Sequence, residues 1–339
     1  MRIRTLVIHL GTSLCLTSHA FAHHSGAMFD PQKIVTFEGV VSRYEWRNPH
    51  VFIGVGTTDA SGATVEWEIE ADGIPLLAPL GWTADSLRVG ERVSVSASPA
   101  RDPARKAAIG RDIVREDGTT LMANAEFARE RVSIESTGVA SSLAGRWLPR
   151  WRDMAFVSRG RLTWPLTERG REAAARYEND PFDSATNPQM QCIPTAAPLI
   201  MMYPTVDTID FGDDTIVFNI AWMHVQRTVY LDGRGHPESA APSIQGHSIG
   251  HWEGDTLVVD TTNFLETGMG NSFGMPSGAQ KHVVERFALS ADGTKLNYEF
   301  VLEDPTYLAA PVTGSYVWDY RPDLERGDSE CDVETAGRY

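Results

Sequence analysis

The run from Gly246 to Thr262 constrains this chain more than any other stretch. Gly254 and Asp255 stand between an aromatic-bearing segment and a β-branched one, the two-residue pattern of a tight β-hairpin. With those two residues as the loop, Glu253 faces Thr256, His251 faces Val258, Ile249 faces Asp260 and His247 faces Thr262. Strand side chains alternate between faces. One face then carries His247, His251, Glu253, Asp260 and Thr262, with Ile249 and Val258 among them, and the other carries Trp252, Leu257, Val259 and Thr261. The second face requires a core. The first is rich in groups that move protons or grip a polar ligand, so the hairpin is expected at the centre of a β domain.

Strand patterns surround it on both sides. Residues 35–121 alternate and are broken by turn signals at Asn48-Pro49, Asp59 to Gly62 and Asp117-Gly118, with one short helix over Ile74 to Leu80. That predicts a small OB-like barrel for residues 23–122. Residues 123–183 read as a linker with a helix over 167–178, capped by Thr167. Within it the basic, aromatic stretch Arg146 to Arg152 is expected to act as a lid or strap. Residues 184–339 supply about eight further strands with short links, which predicts a larger antiparallel up-and-down, lipocalin-like barrel. The fold class is therefore mostly β, with few short helices. Trp46 and Trp67 are expected in the core or at an interface.

The first 22 residues read as an export signal. Arg2 and Arg4 precede an apolar run from Leu6 to Leu16, and Ala20-Phe21-Ala22 forms a small-x-small cleavage site. The run is too short to span a bilayer, and no other stretch offers a span. The mature chain is then expected to begin at His23, outside the cytoplasm. In that oxidising setting Cys192 and Cys331, the two cysteines left after the signal, are expected to form a disulfide. A formal net charge of -15 argues against nucleic-acid partners and anionic membrane surfaces.

Several stretches together resemble a large bacterial family of exported proteins of unknown function. The N-terminal half matches through His23-His24-Ser25, Asn48-Pro49-His50-Val51, Glu66-Trp67 and Gly81-Trp82. The C-terminal half matches through Cys192-Ile193-Pro194, Arg227, Tyr230 to Arg234, His236-Pro237, Gly246 to Gly250, Trp252 to Thr261 and Cys331. The resemblance implies export and a two-domain layout, and no reaction. The chain departs from the pattern at His251 and at Ala197-Pro198-Leu199.

His247 is the leading candidate for acid-base work, because imidazole titrates near neutrality. Asp260 lies diagonal to it and His251 shares its face. Arg227 and Tyr230 are candidate ligand-binding groups, although their spacing sends them to opposite faces. Ser248 points away from His247 and lacks the nucleophile-elbow context. Glu285, Glu303 and Asp304 are expected as surface carboxylates. No dinucleotide, phosphate-loop or zinc-protease motif is present. Met201, Met202, Trp222, Met269 and Met275 suit an adaptable apolar pocket. These residues predict a barrel that takes a small hydrophobic molecule and acts on it without a cofactor, as an isomerase, cyclase or lyase. One alternative is a copper-binding protein that uses His23, His24 and His50. Another is a non-catalytic envelope scaffold.

Overall fold

The computed structural model describes residues 28–58, 61–128, 135–150, 159–180, 186–239, 241–327 and 330–336. The expected signal segment, His23 and His24 lie outside the described residues. The chain is mostly β, with a small barrel followed by a larger one and a few short helices.

The first barrel uses β1 (Val35–Glu45), β2 (Val51–Thr58), β3 (Thr64–Ala71), β4 (Arg92–Pro99), β5 (Ala107–Arg115) and β6 (Thr120–Met122). Their order is β3-β2-β1-β4-β5-β6; a parallel β3–β5 pairing closes a ring of five strands, and β6 extends the sheet from β5. Val41, Ile53, Ile69, Val95 and Ile113 fill the centre from alternate positions. Helix α1 (Ile74–Leu77) plugs one end with Ile74 and Leu77. Its first amide is satisfied by the Asn48 side chain, which accepts from Ile74 N at 2.8 Å. Trp67 stacks on Phe37 at 5.0 Å and Trp46 packs against the same core, as their spacing predicts.

The second barrel is closed by nine strands in the order β10-β11-β12-β15-β16-β17-β7-β8-β9. They are β7 (Gly145–Pro149), β8 (Asp207–Phe211), β9 (Thr215–Ile220), β10 (Val225–Tyr230), β11 (His247–Glu253), β12 (Thr256–Thr262), β15 (His282–Leu289), β16 (Lys295–Glu303) and β17 (Val312–Tyr320). Two features differ from the sequence expectation. The stretch read as a lid or strap supplies β7, which pairs with β17 on one side and β8 on the other and so completes the ring. The sheet is also not wholly antiparallel. Residues 231–246 cross over, and β10 meets β11 in parallel at Val229↔Ser248 and Tyr230↔Ile249. A parallel pair needs such a crossover, whereas the antiparallel neighbours need only turns.

The hairpin register is the one its loop dictates: Glu253↔Thr256, His251↔Val258, Ile249↔Asp260 and His247↔Thr262. Gly254 turns at φ +61 with open space around it. Gly246 enters β11 at φ +69, where a Cβ would meet the Thr262 carbonyl at 2.6 Å. Any other residue would be strained and crowded there.

Large side chains occupy the interior. Trp147, Phe218, Phe287, Tyr298, Phe300, Tyr316 and Trp318 are all buried in one cluster. The methionines expected to line a pocket are part of this packing. Met201, Met202 and Met269 belong to the core, and Met275 packs against helix α2 (Glu168–Asn179) through Ala173 and Ala174. Trp222 stacks on Tyr203 at 4.8 Å, and both donate to Gln189 Oε1, at 2.7 and 2.9 Å. Gln189 in turn donates to Met269 Sδ at 3.1 Å. Met202 is thus buried in the core, and Trp222, partly exposed, packs against it. The glycine-rich stretch after Leu265 forms a small hairpin of its own, β13 (Thr267–Ser272) with β14 (Met275–Ser277).

Asp207 is buried at the start of β8, accepting from Thr205 Oγ1 at 2.7 Å and Ala221 N at 3.0 Å. Burial pushes its pKa up to about 8, against the pull of those bonds and Arg326. The folded state therefore holds a proton that the unfolded chain releases near pH 4. Folding free energy from this group is full below about pH 4, falls as pH rises to about 8, and is level above. Asp207→Asn keeps the accepting oxygen and cannot ionise. Urea unfolding is expected to show the variant more stable than wild type by a few kcal/mol at pH 8, with the gap closing near pH 4. A gap that does not change with pH would sink this account.

Candidate functional site

The alternation that buries one face of the β11–β12 hairpin turns the other face outward. Ser248, Leu257, Val259 and Thr261 are buried inside the barrel. His247 and Asp260 therefore stand on its outer wall, where the Asp260 side chain is 38% exposed. The enclosed face of the sheet is the opposite one, which packs on the aromatic core.

On the outer wall the polar groups form a continuous row across four strands. His247 Nδ1 lies 3.0 Å from His236 Nδ1. His236 Nε2 lies 2.9 Å from Asp260 Oδ1. His282 Nε2 lies 3.0 Å from Asp260 Oδ2, and its Nδ1 lies 3.3 Å from Glu303 Oε2. The ladders explain the row. Asp260 pairs with Val284 and His282 with Glu303, so β12, β15 and β16 each present one member on the same face. His236 arrives from the crossover. The Tyr230 ring stacks on His247 at 5.3 Å, and Arg234 lies over Tyr230 at 4.0 Å while pairing with Asp232.

Ionised carboxylates only accept hydrogen bonds, which assigns the protons. Asp260 accepts from His236 and from His282, so both Nε2 atoms carry hydrogen. In neutral His236 the Nδ1 atom is then an acceptor, and His247 donates to it from Nδ1. Burial holds the His247 pKa below its usual value, with His236 and Arg234 adding repulsion. For His282 burial works in the same direction, but the bonds and charges of Asp260 and Glu303 outweigh it and raise the pKa. Removing a proton from a ligand at His247 Nε2 would pass positive charge through Nδ1 to His236, next to Asp260.

The remaining predicted residues divide between the two faces. His251 is outward but exposed, 3.3 Å from Glu253, which also binds Arg286 at 2.6 Å. It belongs to a separate surface cluster and does not reach the His247 row. Tyr230 joins the row. Arg227 points inward, as alternation requires, and is fully enclosed. It donates to Ser248 Oγ at 3.2 Å, Thr261 Oγ1 at 2.8 Å and Glu285 Oε1 at 2.9 Å. Glu285 and Asp304, expected at the surface, are buried, while Glu303 is exposed. Glu285 neutralises Arg227, and Asp304 accepts from Asn271 Nδ2 and Gly278 N, both at 2.7 Å. His236 and His282 are the members that sequence reasoning passed over. The parity of β15 marked His282 as outward, but nothing local marked β15 as the neighbour of β12.

In the first barrel His50 Nδ1 lies 3.1 Å from Glu70 Oε1. Burial, with Glu68 nearby, pushes the Glu70 pKa up to about 8. Among the described residues no group of three or more His, Cys, Asp or Glu side chains is placed to hold a metal ion. Cys192 and Cys331 stand in disulfide geometry, with Cα atoms 5.7 Å apart. No helix among the described residues is long and apolar enough to cross a membrane.

No curated protein matches the chain. Residues 12–109 match the model of a family of unknown function (DUF6152), a span that takes in most of the first barrel and none of the second.

Proposed function

We propose that this is an exported envelope protein whose second barrel acts on a small molecule by proton transfer at its outer wall. His247 is the base that meets the ligand, His236 takes the displaced proton, and Asp260 stabilises the resulting imidazolium. His282 and Glu303 hold Asp260 in place. The ligand rests against the Tyr230 and His247 rings, which offer an apolar surface beside the polar row. Removal and return of a proton within one site suits an isomerase, cyclase or lyase and needs no cofactor. The observation that carries this reading is the unbroken hydrogen-bonded row from His247 to Glu303.

Mass spectrometry of small molecules that co-purify with the exported protein supplies the candidate substrates. His247→Ala is expected to lower turnover of such a compound by about 10²- to 10⁴-fold, the usual worth of a general base. The melting temperature should hold, since the ring is half-buried on the outer wall. Turnover equal to wild type removes His247 from the chemistry. A second reading, an envelope scaffold without chemistry, draws on the large aromatic cluster packed inside the second barrel. It predicts that no compound co-purifies.

A further inference from the structure

The contact between His236 and His247 is unusual in which atoms it brings together. Two imidazole Nδ1 atoms face each other at 3.0 Å. A hydrogen bond fills that gap with one shared proton. The same separation suits a metal ion. Two donors in neighbouring positions around a tetragonal ion, with metal–nitrogen bonds of about 2.0–2.1 Å, lie about 2.9 Å apart. Imidazole nitrogen is a favoured donor for copper, nickel and zinc, and a tetragonal arrangement selects Cu(II) or Ni(II).

The surroundings are those of a built ligand. A metal-binding histidine commonly donates its second ring N–H to a carboxylate, which fixes the tautomer and raises the basicity of the ligating nitrogen. His236 does so to Asp260 at 2.9 Å. Asp260 is held by His282 at 3.0 Å, and His282 by Glu303 at 3.3 Å. Tyr230 fixes the plane of the other ring by stacking on it. His247 must carry its proton on Nε2, and the two rings, whose centroids lie 5.2 Å apart in a nearly head-on contact, must turn toward a common point for both Nδ1 lone pairs to reach the ion. The side chains are partly exposed, so water reaches the remaining coordination positions.

The geometry points to a two-imidazole site for a divalent transition metal, Cu(II) in particular, between His236 Nδ1 and His247 Nδ1, with Asp260 as the positioning residue behind His236. The inference goes beyond the proton-transfer reading and rests on the geometry of the row itself. A metal held there takes the lone pairs that the proton relay uses, so loading and proton transfer exclude each other.

Cu(II) titration tests this on the exported full chain carrying His23→Ala and His24→Ala, which removes any chelate at those positions. Calorimetry is expected to show one ion bound per chain, and electron paramagnetic resonance to show coupling to two nitrogens. His236→Ala and His247→Ala should each weaken binding at least tenfold. Asp260→Asn should weaken it about 10- to 100-fold, the usual effect of losing such a partner. It preserves side-chain size, so it carries the test if an imidazole variant misfolds. Absence of uptake, or uptake unchanged in His236→Ala, His247→Ala and Asp260→Asn, overturns the site. Binding is read without turnover, so its failure leaves the proton-transfer reading standing, and the reverse also holds.

Discussion

Arg227→Met is expected to destabilise the second barrel by about 3–5 kcal/mol, the cost of leaving one member of a buried ion pair alone. Side-chain exposure is 1% for Arg227 and 0% for Glu285, so water cannot replace the lost partner. The guanidinium is matched on every side. Ser248, Thr261 and two oxygens of Glu285 accept from it, and Tyr298 donates to Glu285 at 2.9 Å. Removing the cation leaves a carboxylate inside an aromatic barrel, where the charged form is heavily penalised. Arg227→Met with Glu285→Leu is expected to regain most of the loss. Ser248 and Thr261 already lie 2.9 Å apart and can bond each other. Tyr298 would then lack an acceptor, at about 1–3 kcal/mol, and adding Tyr298→Phe should remove that residue of the cost. Denaturant unfolding of the four proteins measures the series. A single Arg227→Met costing less than about 1 kcal/mol, well short of a broken buried pair, would show that water reaches this network.

The same alternation explains how much of the fold and site was legible beforehand. A loop of two residues at Gly254-Asp255 sets every pairing of the hairpin, so the shared face of His247 and Asp260 followed from local chemistry. Which face is the interior depends on the whole ring. Leu257, Val259 and Thr261 mark the buried face, whereas Trp252, on the same parity but at the end of the hairpin, is exposed, and the sequence expectation puts the ligand space on the other face. The interior needs residues that fill a nine-strand ring, and those came from β7, β9, β15, β16 and β17 together. Strand β7 was illegible because five residues with a proline at the end and arginine within give little periodicity. Its partners lie far along the chain. Arg227 and Tyr230 were separated properly by parity. Glu285 and Asp304 were misplaced because charge alone predicts a surface, whereas here each carboxylate has a buried donor set. His236 was invisible for another reason. It sits on a crossover whose path is fixed by the parallel β10–β11 pair, and no local pattern announces that pair.

Loss of the Cys192–Cys331 link is the second large effect. The cysteines are 139 residues apart in sequence, and a cross-link closing so long a loop restricts the unfolded chain strongly. Chain-entropy arguments put its removal at about 3–5 kcal/mol. Its local consequence follows from what surrounds Cys331. The residue bridges Asn48 in the first barrel, and Asp332 N donates to the Asn48 carbonyl at 2.8 Å. Arg47 meets Asp332 at 3.1 Å, but that pair is exposed and contributes little. Residues 330–336 are thus fastened to the second barrel through Cys192 and to the first through Asn48. Without the covalent tie, this segment relies on contacts such as the Asp332–Asn48 backbone bond and the weak Arg47–Asp332 pair. Asn48 also caps helix α1, so loosening there reaches the plug of the first barrel. Cys192→Ser with Cys331→Ser is expected to lower the melting temperature by several degrees and to speed hydrogen exchange at Asp332 before the central strands. If the doubly substituted chain melts with wild type and the Asp332 amide stays protected, the tail is held by packing and the cross-link is dispensable.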